Sequence, residues 1–187
     1  MEDLSLHIMD IVQNSITAGA DQISVRIAVE GEPLKLICEI VDNGKGMVPD
    51  FLKKVEDPFE TSRTTRDVGM GIPLLKQSAE MAGGRLSIKS EPLRGTSLRA
   101  EFEVRHIDRI PLGDIAETIK LLVMAHPQIT WVAEFTSGNE KFRLDTGEIR
   151  QYMDGVPLNN HDVLNWIQKT IENGIKKVFG GVLDEVG

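Results

Sequence analysis

The sequence predicts an α+β fold, because it contains two kinds of hydrophobic periodicity. Apolar residues recur at helical spacing over residues 4–18 and again over 71–82. Apolar and polar residues alternate instead over residues 22–29 and 34–41, which is typical of strands. A length of 187 residues without an internal repeat indicates one domain, or one domain with a substantial appendage.

The first half begins with the predicted helix over 4–18, for which Asp3 is the expected cap and Gly19 the expected end. The two alternating segments follow as strands joined by a short turn. Periodicity resumes with a short helix over 49–55. It then fails over 56–70, a stretch rich in Thr, Ser and Arg that we expect to form a mobile loop.

The remaining segments are a helix over 71–82 and a strand pair over 85–90 and 96–104. The character of the chain changes near Pro111. Beyond it we expect a helix, a hairpin and a second helix, at residues 112–125, 129–135 with 141–144, and 160–177. The aromatic residues of this part predict a small α+β unit with its own core. The expected division is therefore 1–105 and 106–187.

Composition excludes several classes of function. The net charge is −8 and no basic run is present, so neither DNA nor RNA is an expected partner. No apolar stretch is long enough to span a membrane, and the acidic N-terminus differs from a targeting segment, so we expect a cytoplasmic protein. A single cysteine, Cys38, and four scattered histidines exclude an intrachain disulfide and a structural zinc site.

Four segments carry candidate chemistry, and the first is on the first helix. Asp10 and Asn14 are four residues apart and share one helix face. Their oxygens can orient water or hold a hydrated Mg²⁺ ion, which prefers oxygen ligands. The alternative is a polar helix face that meets only solvent, and for this pair alone it is the better interpretation.

The other three segments contain glycine. Residues 42–47 follow an apolar strand, and their glycines allow a close backbone approach to a ligand, although an Asp-Asn-Gly turn explains them equally well. Residues 67–73 open a helix whose free N–H groups can bind an anion, or form a flexible loop. Residues 94–96 lead into a strand.

Together and in this order, the segments resemble the ATP-binding domain of the GHKL superfamily of gyrase, heat-shock chaperone, histidine kinase and MutL ATPases. The resemblance covers about residues 4–104. Residues 10–20 are similar to the N box of the MutL branch, and 59–74 to the lid and second glycine box of histidine kinases. It implies the Bergerat fold, a two-layer α/β sandwich that holds ATP between helices and a mixed, largely antiparallel sheet.

The resemblance also implies roles for individual residues. Asp42 would read the adenine amine, Asn14 would hold Mg²⁺, and Asp10 would be the catalytic base. Arg63 would reach the terminal phosphate, although a solvated basic loop explains Arg63 as well. The other expected nucleotide-binding residues are Gly44, Gly46, Met47, Gly69, Gly71 and Thr96.

Three departures from the family pattern bear on function. The family usually has glutamate where this chain has Asp10, which puts the hydrolysis rate in doubt. The kinase lysine that follows the N-box asparagine is absent from residues 15–17. The helical hairpin with the phosphoacceptor histidine, which precedes the kinase ATP domain, is also absent from this sequence, and its own histidines are unconvincing acceptors.

We therefore expect a Mg-ATP-binding protein, a stand-alone histidine-kinase-like or anti-sigma-like protein kinase that acts on a partner in signalling. The alternative is a slow ATPase, or a binding module in which nucleotide orders the loop over 61–69 and changes what the C-terminal unit binds. A third possibility, a structural domain that no longer binds nucleotide, is disfavoured because the glycines of the family pattern, Gly44, Gly46, Gly69 and Gly71, are all present. The resemblance leaves a homodimer open.

Overall fold

The computed structural model describes residues 3–56 and 69–183. Within these ranges the chain forms six helices and six strands. The helices are α1 (Leu4–Thr17), α2 (Pro49–Glu56), α3 (Gly71–Met81), α4 (Ile115–Ala125), α5 (Thr146–Tyr152) and α6 (His161–Phe179). The strands are β1 (Gln22–Glu30), β2 (Lys35–Asp42), β3 (Arg85–Glu91), β4 (Gly95–Glu103), β5 (Thr130–Ser137) and β6 (Glu140–Asp145).

Local signals define most of these elements. Asp3 caps α1 by accepting a hydrogen bond from the Leu6 amide at 3.0 Å, as predicted. The helix predicted from residue 112 begins instead at Ile115, because Asp114 accepts from the Glu117 amide and forms the cap. Helix α5 was not predicted; Asp145 starts it by accepting hydrogen bonds from the Gly147 and Glu148 amides, and its seven residues are too few to leave a periodic pattern in the sequence.

The strands form one mixed, largely antiparallel sheet in the order β3-β4-β2-β1-β5-β6. Four of the five pairings are antiparallel, whereas β5 pairs with β1 in parallel. Parallel pairing requires a crossover connection, and the chain between β4 and β5 supplies it with helix α4. This architecture confirms the predicted α+β class and the two-layer arrangement.

The C-terminal segment extends the sheet of the N-terminal segment. Strand β5 lies beside β1 along its whole length, from Gln22 opposite Thr130 to Val29 opposite Ser137. Buried residues of both segments belong to one apolar cluster. The two-unit division at residue 105 therefore stays a prediction about folding units.

The described part of the chain has no helix that combines the length and apolar character needed to cross a membrane.

The two faces of the sheet differ in chemistry. On one face alternate strand residues such as Ile27, Ile40 and Phe102 are buried within the apolar cluster that includes the helices. We call the opposite side the open face. Its residues form a cross-strand row of alternating charge, in the order Arg99, Glu39, Arg26, Glu134 and Arg143.

Glu101 lies on the open face of β4 and is only 5% exposed. Burial alone would raise the pKa of its carboxyl, but hydrogen bonds from three cations outweigh burial and lower that pKa. These cations are Arg99 at 3.1 Å, Lys35 at 3.2 Å and Arg85 at 3.3 Å. The arrangement neutralises a buried charge on the side of the sheet opposite the helices.

Candidate functional site

A cavity of about 580 Å³ lies on the helix-covered side of the sheet. Its walls come from α1, α2, α3, β2, β4 and the loop that follows β2. Most of the wall is apolar, with Ile11, Ile40, Val48, Phe51, Ile72 and Leu98 among its residues. The volume and the mostly apolar lining with a few polar groups are typical of a small-molecule site.

Asp42 is the buried charged side chain among the described residues that line this cavity. It ends strand β2 on the same face as Ile40, so the strand's alternation turns its carboxylate toward the helices. The Ser15 hydroxyl donates to Asp42 Oδ2 at 2.6 Å, and the Gly44 amide donates to Oδ1 at 2.9 Å. Each oxygen is therefore held by one protein donor and keeps acceptor capacity for a ligand.

Two glycines let the loop after β2 meet the turn before β4. Gly46 has φ +65°, and a Cβ there would lie 1.9 Å from the Glu91 carbonyl oxygen. Gly95 has φ +89°, and a Cβ there would lie 1.9 Å from the Asp42 carbonyl oxygen. A side chain at either position would require both a strained conformation and displacement of backbone. These glycines bring Asp42 and Thr96 side by side.

Thr96 lines the same end of the cavity and is hydrogen-bonded to a second hydroxyl. The Ser90 and Thr96 hydroxyl oxygens lie 2.8 Å apart. The Met47 amide donates to Ser90 Oγ at 2.9 Å, and the Ser90 hydroxyl lies 3.1 Å from the Gly95 carbonyl oxygen. We call this end, defined by Asp42, Met47 and Thr96, the acceptor end.

The opposite end is formed by α1 and the start of α3. Asn14 lines the cavity with an exposed side chain, and Asp10 is exposed one turn earlier on α1. Asp10 lies against Gly71, where an added Cβ would be 2.9 Å from the Asp10 Cβ. Gly71 therefore allows α3 to begin directly on α1. We call this end, defined by Asp10, Asn14, Gly69 and Gly71, the helix-start end.

Helix α3 presents amide donors at the helix-start end. The first intrahelical bond runs from the Leu74 amide to the Met70 carbonyl at 3.0 Å, and Met70 makes no side-chain cap. The N–H groups of Gly71 and Ile72 consequently have no acceptor within the helix. Such a helix start favours an anionic ligand group through its amides and its dipole.

The donor set at the helix-start end is compatible with Mg²⁺. Asn14 and Asp10 offer amide and carboxylate oxygens, which this cation prefers. Within residues 3–56 and 69–183, no group of three or more His, Cys, Asp or Glu side chains gathers as a metal site. An ion here would therefore take most of its ligands from water and from the phosphates of a ligand.

The structure thus brings together most of the residues expected from sequence. Six of them line the cavity, and they are Asn14, Asp42, Gly46, Met47, Gly69 and Thr96. The Gly44 amide donates to Asp42, and Gly71 lies against Asp10. None of Gly44, Gly71 and Asp10 is itself among the lining residues. Arg63 and the mobile loop predicted around it lie outside the described residues, apart from the loop's ends at residues 56, 69 and 70.

Sequence reasoning missed the residues that hold the functional groups in place. Ser15 occupies an apolar position of the α1 periodicity, and this was the available signal that its side chain faces inward. No local signal identified Ser90, whose partners lie on the neighbouring strand and the loop after β2. Lys45 also lines the cavity and is a cation that the sequence analysis did not single out.

Comparison with known families gives a match over more than half of the chain. The profile described as "Histidine kinase-, DNA gyrase B-, and HSP90-like ATPase" matches residues 2–106. This range contains every predicted site residue. It also contains both ends of the cavity and the open-face residue Glu101.

The curated relatives include bacterial kinases. Sporulation kinase D of Bacillus subtilis is 30% identical over 52% of this chain and 19% of its own length. Sensor histidine kinase DcuS of Escherichia coli is 37% identical over 30% of this chain and 10% of its own length. The "Non-motile and phage-resistance protein" of Caulobacter vibrioides is 30% identical over 54% of this chain, which spans 13% of that protein.

Solved structures share the fold. The Aquifex aeolicus MutL ATPase domain complexed with ADP aligns with a TM-score of 0.50 at 13% identity, covering 82% of this chain and 68% of that one. The N-terminal domain of a DNA repair protein aligns with a TM-score of 0.53 at 15% identity, covering 97% and 58%. The likeness in fold therefore extends beyond residue 106, where the family match ends.

Proposed function

Since the chain belongs to the family of histidine kinase-, DNA gyrase B- and HSP90-like ATPases, we propose that its cavity binds Mg-ATP and that the protein transfers the terminal phosphoryl group to a partner protein. One observation carries this proposal. A single apolar cavity has a buried carboxylate, Asp42, at one end and the start of helix α3, where Met70 provides no side-chain cap, at the other. That polarity fits a ligand with a base at one end and phosphates at the other.

In this proposal the base lies at the acceptor end. Asp42 accepts a hydrogen bond from the exocyclic amine of adenine, and Thr96 is its neighbour across the β2–β4 pairing. Gly46 and Met47 form the adjoining wall. The apolar residues Ile40 and Leu98 contact the faces of the ring and exclude water from its edge.

The phosphates lie at the helix-start end. The amides around Gly69 and Gly71 donate to them, and Asn14 holds Mg²⁺ through its amide oxygen. The bound ion would neutralise charge on the phosphate oxygens during transfer. Asp10 orients and deprotonates the attacking imidazole, hydroxyl or water, ADP leaves as the terminal phosphoryl group is transferred, and Arg63 is the expected donor to that phosphate.

The kinase assignment is supported by the relatives' names, and an acceptor outside this sequence is part of the proposal. The chain spans a fifth or less of the curated relatives described above. None of the described histidines is among the residues that line the cavity. We infer that the phosphoacceptor is a residue of another segment or of a partner protein, and that the protein works in signalling.

A second candidate function, a nucleotide-gated binding module with slow hydrolysis, is supported by how α1 is anchored. The amides of Leu4 and Ser5 donate to the carbonyl oxygens of Pro111 and Leu112 at 2.9 and 3.0 Å. Arg109 in the same connector donates to the Val104 carbonyl at 2.8 Å. The helix that carries Asn14 is thereby tied to the connection leading to residues 106–187, so a nucleotide-dependent shift of α1 would reach that unit.

The deciding experiment follows ATP labelled on its γ-phosphate, incubated with the full chain, Mg²⁺ and candidate partners. Acid-labile label on protein supports a histidine kinase, and acid-stable label supports a serine kinase. Free phosphate that disappears in the Asp10→Asn variant supports the slow ATPase instead. Absence of ATP binding in equilibrium dialysis would overturn the proposed function altogether.

A further inference from the structure

Ser90 makes three polar contacts at the acceptor end of the cavity. It accepts a hydrogen bond from the Met47 amide at 2.9 Å. It lies 3.1 Å from the Gly95 carbonyl oxygen and 2.8 Å from the Thr96 hydroxyl oxygen. The first two contacts have a fixed direction, because an amide nitrogen only donates and a carbonyl oxygen only accepts.

The direction of the third contact follows from counting protons. A serine hydroxyl has one proton, and we assign it to the Gly95 carbonyl oxygen, which can only accept, whereas the Thr96 hydroxyl has a proton of its own to donate. The contact between Ser90 and Thr96 therefore has Thr96 as the donor. With its own proton engaged, Thr96 can offer the cavity only lone pairs. Since Asp42 is an acceptor as well, the acceptor end presents acceptors from two neighbouring strands.

We propose that Ser90 is a positioning residue that fixes Thr96 as a hydrogen-bond acceptor and thereby makes the site select 6-amino purines over 6-oxo purines. A 6-amino group donates to the two acceptors. A 6-oxo group directs its own lone pairs at them, so the acceptor atoms that face position 6 receive no proton on burial, which costs affinity. This inference rests on the proposed function, because it assumes that the base lies at the acceptor end.

Loss of the Ser90 hydroxyl would release Thr96. In Ser90→Ala the Thr96 proton has no fixed partner and can turn toward the base, so the hydroxyl can donate to a 6-oxo group. The Met47 amide loses its acceptor in the same variant, and the resulting loosening of the wall weakens all nucleotides alike. The diagnostic quantity is therefore the ratio of affinities for two bases and not the affinity for one.

The test measures by calorimetry how tightly the full chain binds three nucleotides, namely ATP, inosine triphosphate and purine riboside triphosphate. The base of the third nucleotide has only hydrogen at position 6. Wild type should prefer ATP to inosine triphosphate by at least about tenfold, and Ser90→Ala should reduce that ratio by about tenfold. Ser90→Thr keeps the hydroxyl and should keep the ratio. Ser87→Ala, an exposed serine of the same strand, is the matched control.

A second variant separates the effect of Ser90 on base selectivity from any effect on folding. Thr96→Val removes the hydroxyl itself, and adding Ser90→Ala to it should change the ratio no further, because both act through one group. Equal weakening of all three nucleotides by Ser90→Ala would overturn the proposal, as would a wild-type site that does not distinguish them. Wild type that binds none of them would instead overturn the proposed function.

Discussion

The two ends of the cavity differ in how the protein holds their polar groups. At the acceptor end Asp42 and Thr96 are bonded to Ser15, Gly44 and Ser90. At the helix-start end Asp10 and Asn14 are exposed, and among the described residues neither side chain has a hydrogen-bond partner. One end is thus organised by the fold, whereas the other offers oxygens and amides that a ligand and its cation would complete.

The sharpest contrast is between Gly95, beside the acceptor end, and Gly69, at the helix-start end. Gly95→Ala should lower the melting temperature by about 5–15 °C and abolish nucleotide binding, because its Cβ would meet the Asp42 carbonyl at 1.9 Å. Gly69→Ala is the matched control, since no described atom lies within 4 Å of its Cβ position. Thermal melts and binding isotherms of both variants test this, and equal damage by both would remove the contrast between the ends.

Removing the charge of Asp42 should weaken binding of the adenine base and leave the contacts to the phosphates unchanged. Asp42→Asn should weaken ATP and adenosine alike by about 100-fold, because a hydrogen bond to a charged group contributes roughly 1.5–3 kcal/mol and the Ser15 contact is perturbed as well. Calorimetric titration with both ligands measures it. Asp50→Asn, on an exposed turn of α2, is the control. Unchanged affinity for adenosine would place the base elsewhere.

A substitution at the helix-start end should weaken binding of ligands that have phosphates and leave binding of adenosine unchanged. Asn14→Ala should weaken ATP by about tenfold in the presence of Mg²⁺ and leave adenosine unaffected, because the amide oxygen addresses only the cation. Chelating Mg²⁺ with EDTA should remove the difference between wild type and variant. If the variant keeps the full Mg²⁺ dependence of ATP binding, Asn14 is not the metal ligand.

Asp10 is expected to act on the reaction and not on binding. Asp10→Asn preserves the size of the side chain beside Gly71, so ATP affinity should change by less than about twofold. Phosphate release or transfer should fall at least tenfold, because the base is lost. Rapid-quench assays with labelled ATP measure the rate. A rate equal to that of wild type would exclude Asp10 as the base.

A variant of the open face should leave both ends of the cavity intact. The folded-state pKa of Glu101 is lowered, so its stabilising contribution is present above the unfolded pKa and is lost as pH falls through the folded value. Glu101→Gln should therefore lower stability at pH 7 and flatten its dependence on pH below about pH 4.5. Urea unfolding across pH tests this, and the affinity for ATP at pH 7 should remain that of wild type.

Local sequence signals predicted much of the fold. The alternation of β1 and β2, the Asp3 cap and the glycine-bounded helix α3 each depend on residues a few positions apart. The pairing of β5 with β1 was not predicted, because strand alternation does not specify which partner a strand takes. Helix α5 was missed for a related reason, since seven residues are too few to show a period.

Local sequence patterns were enough to predict the α+β class, the helix bearing Asp10 and Asn14, and the three glycine-containing segments, since these follow from short-range periodicity, caps and backbone freedom. By contrast, the packed chain was needed to show that Ser15 donates to Asp42, a residue 27 positions away, and that the Ser90 and Thr96 hydroxyl oxygens lie 2.8 Å apart. The physical reason is that a hydroxyl's partner and the direction of its proton depend on which strands and helices meet. That meeting is set by the packing of the whole chain.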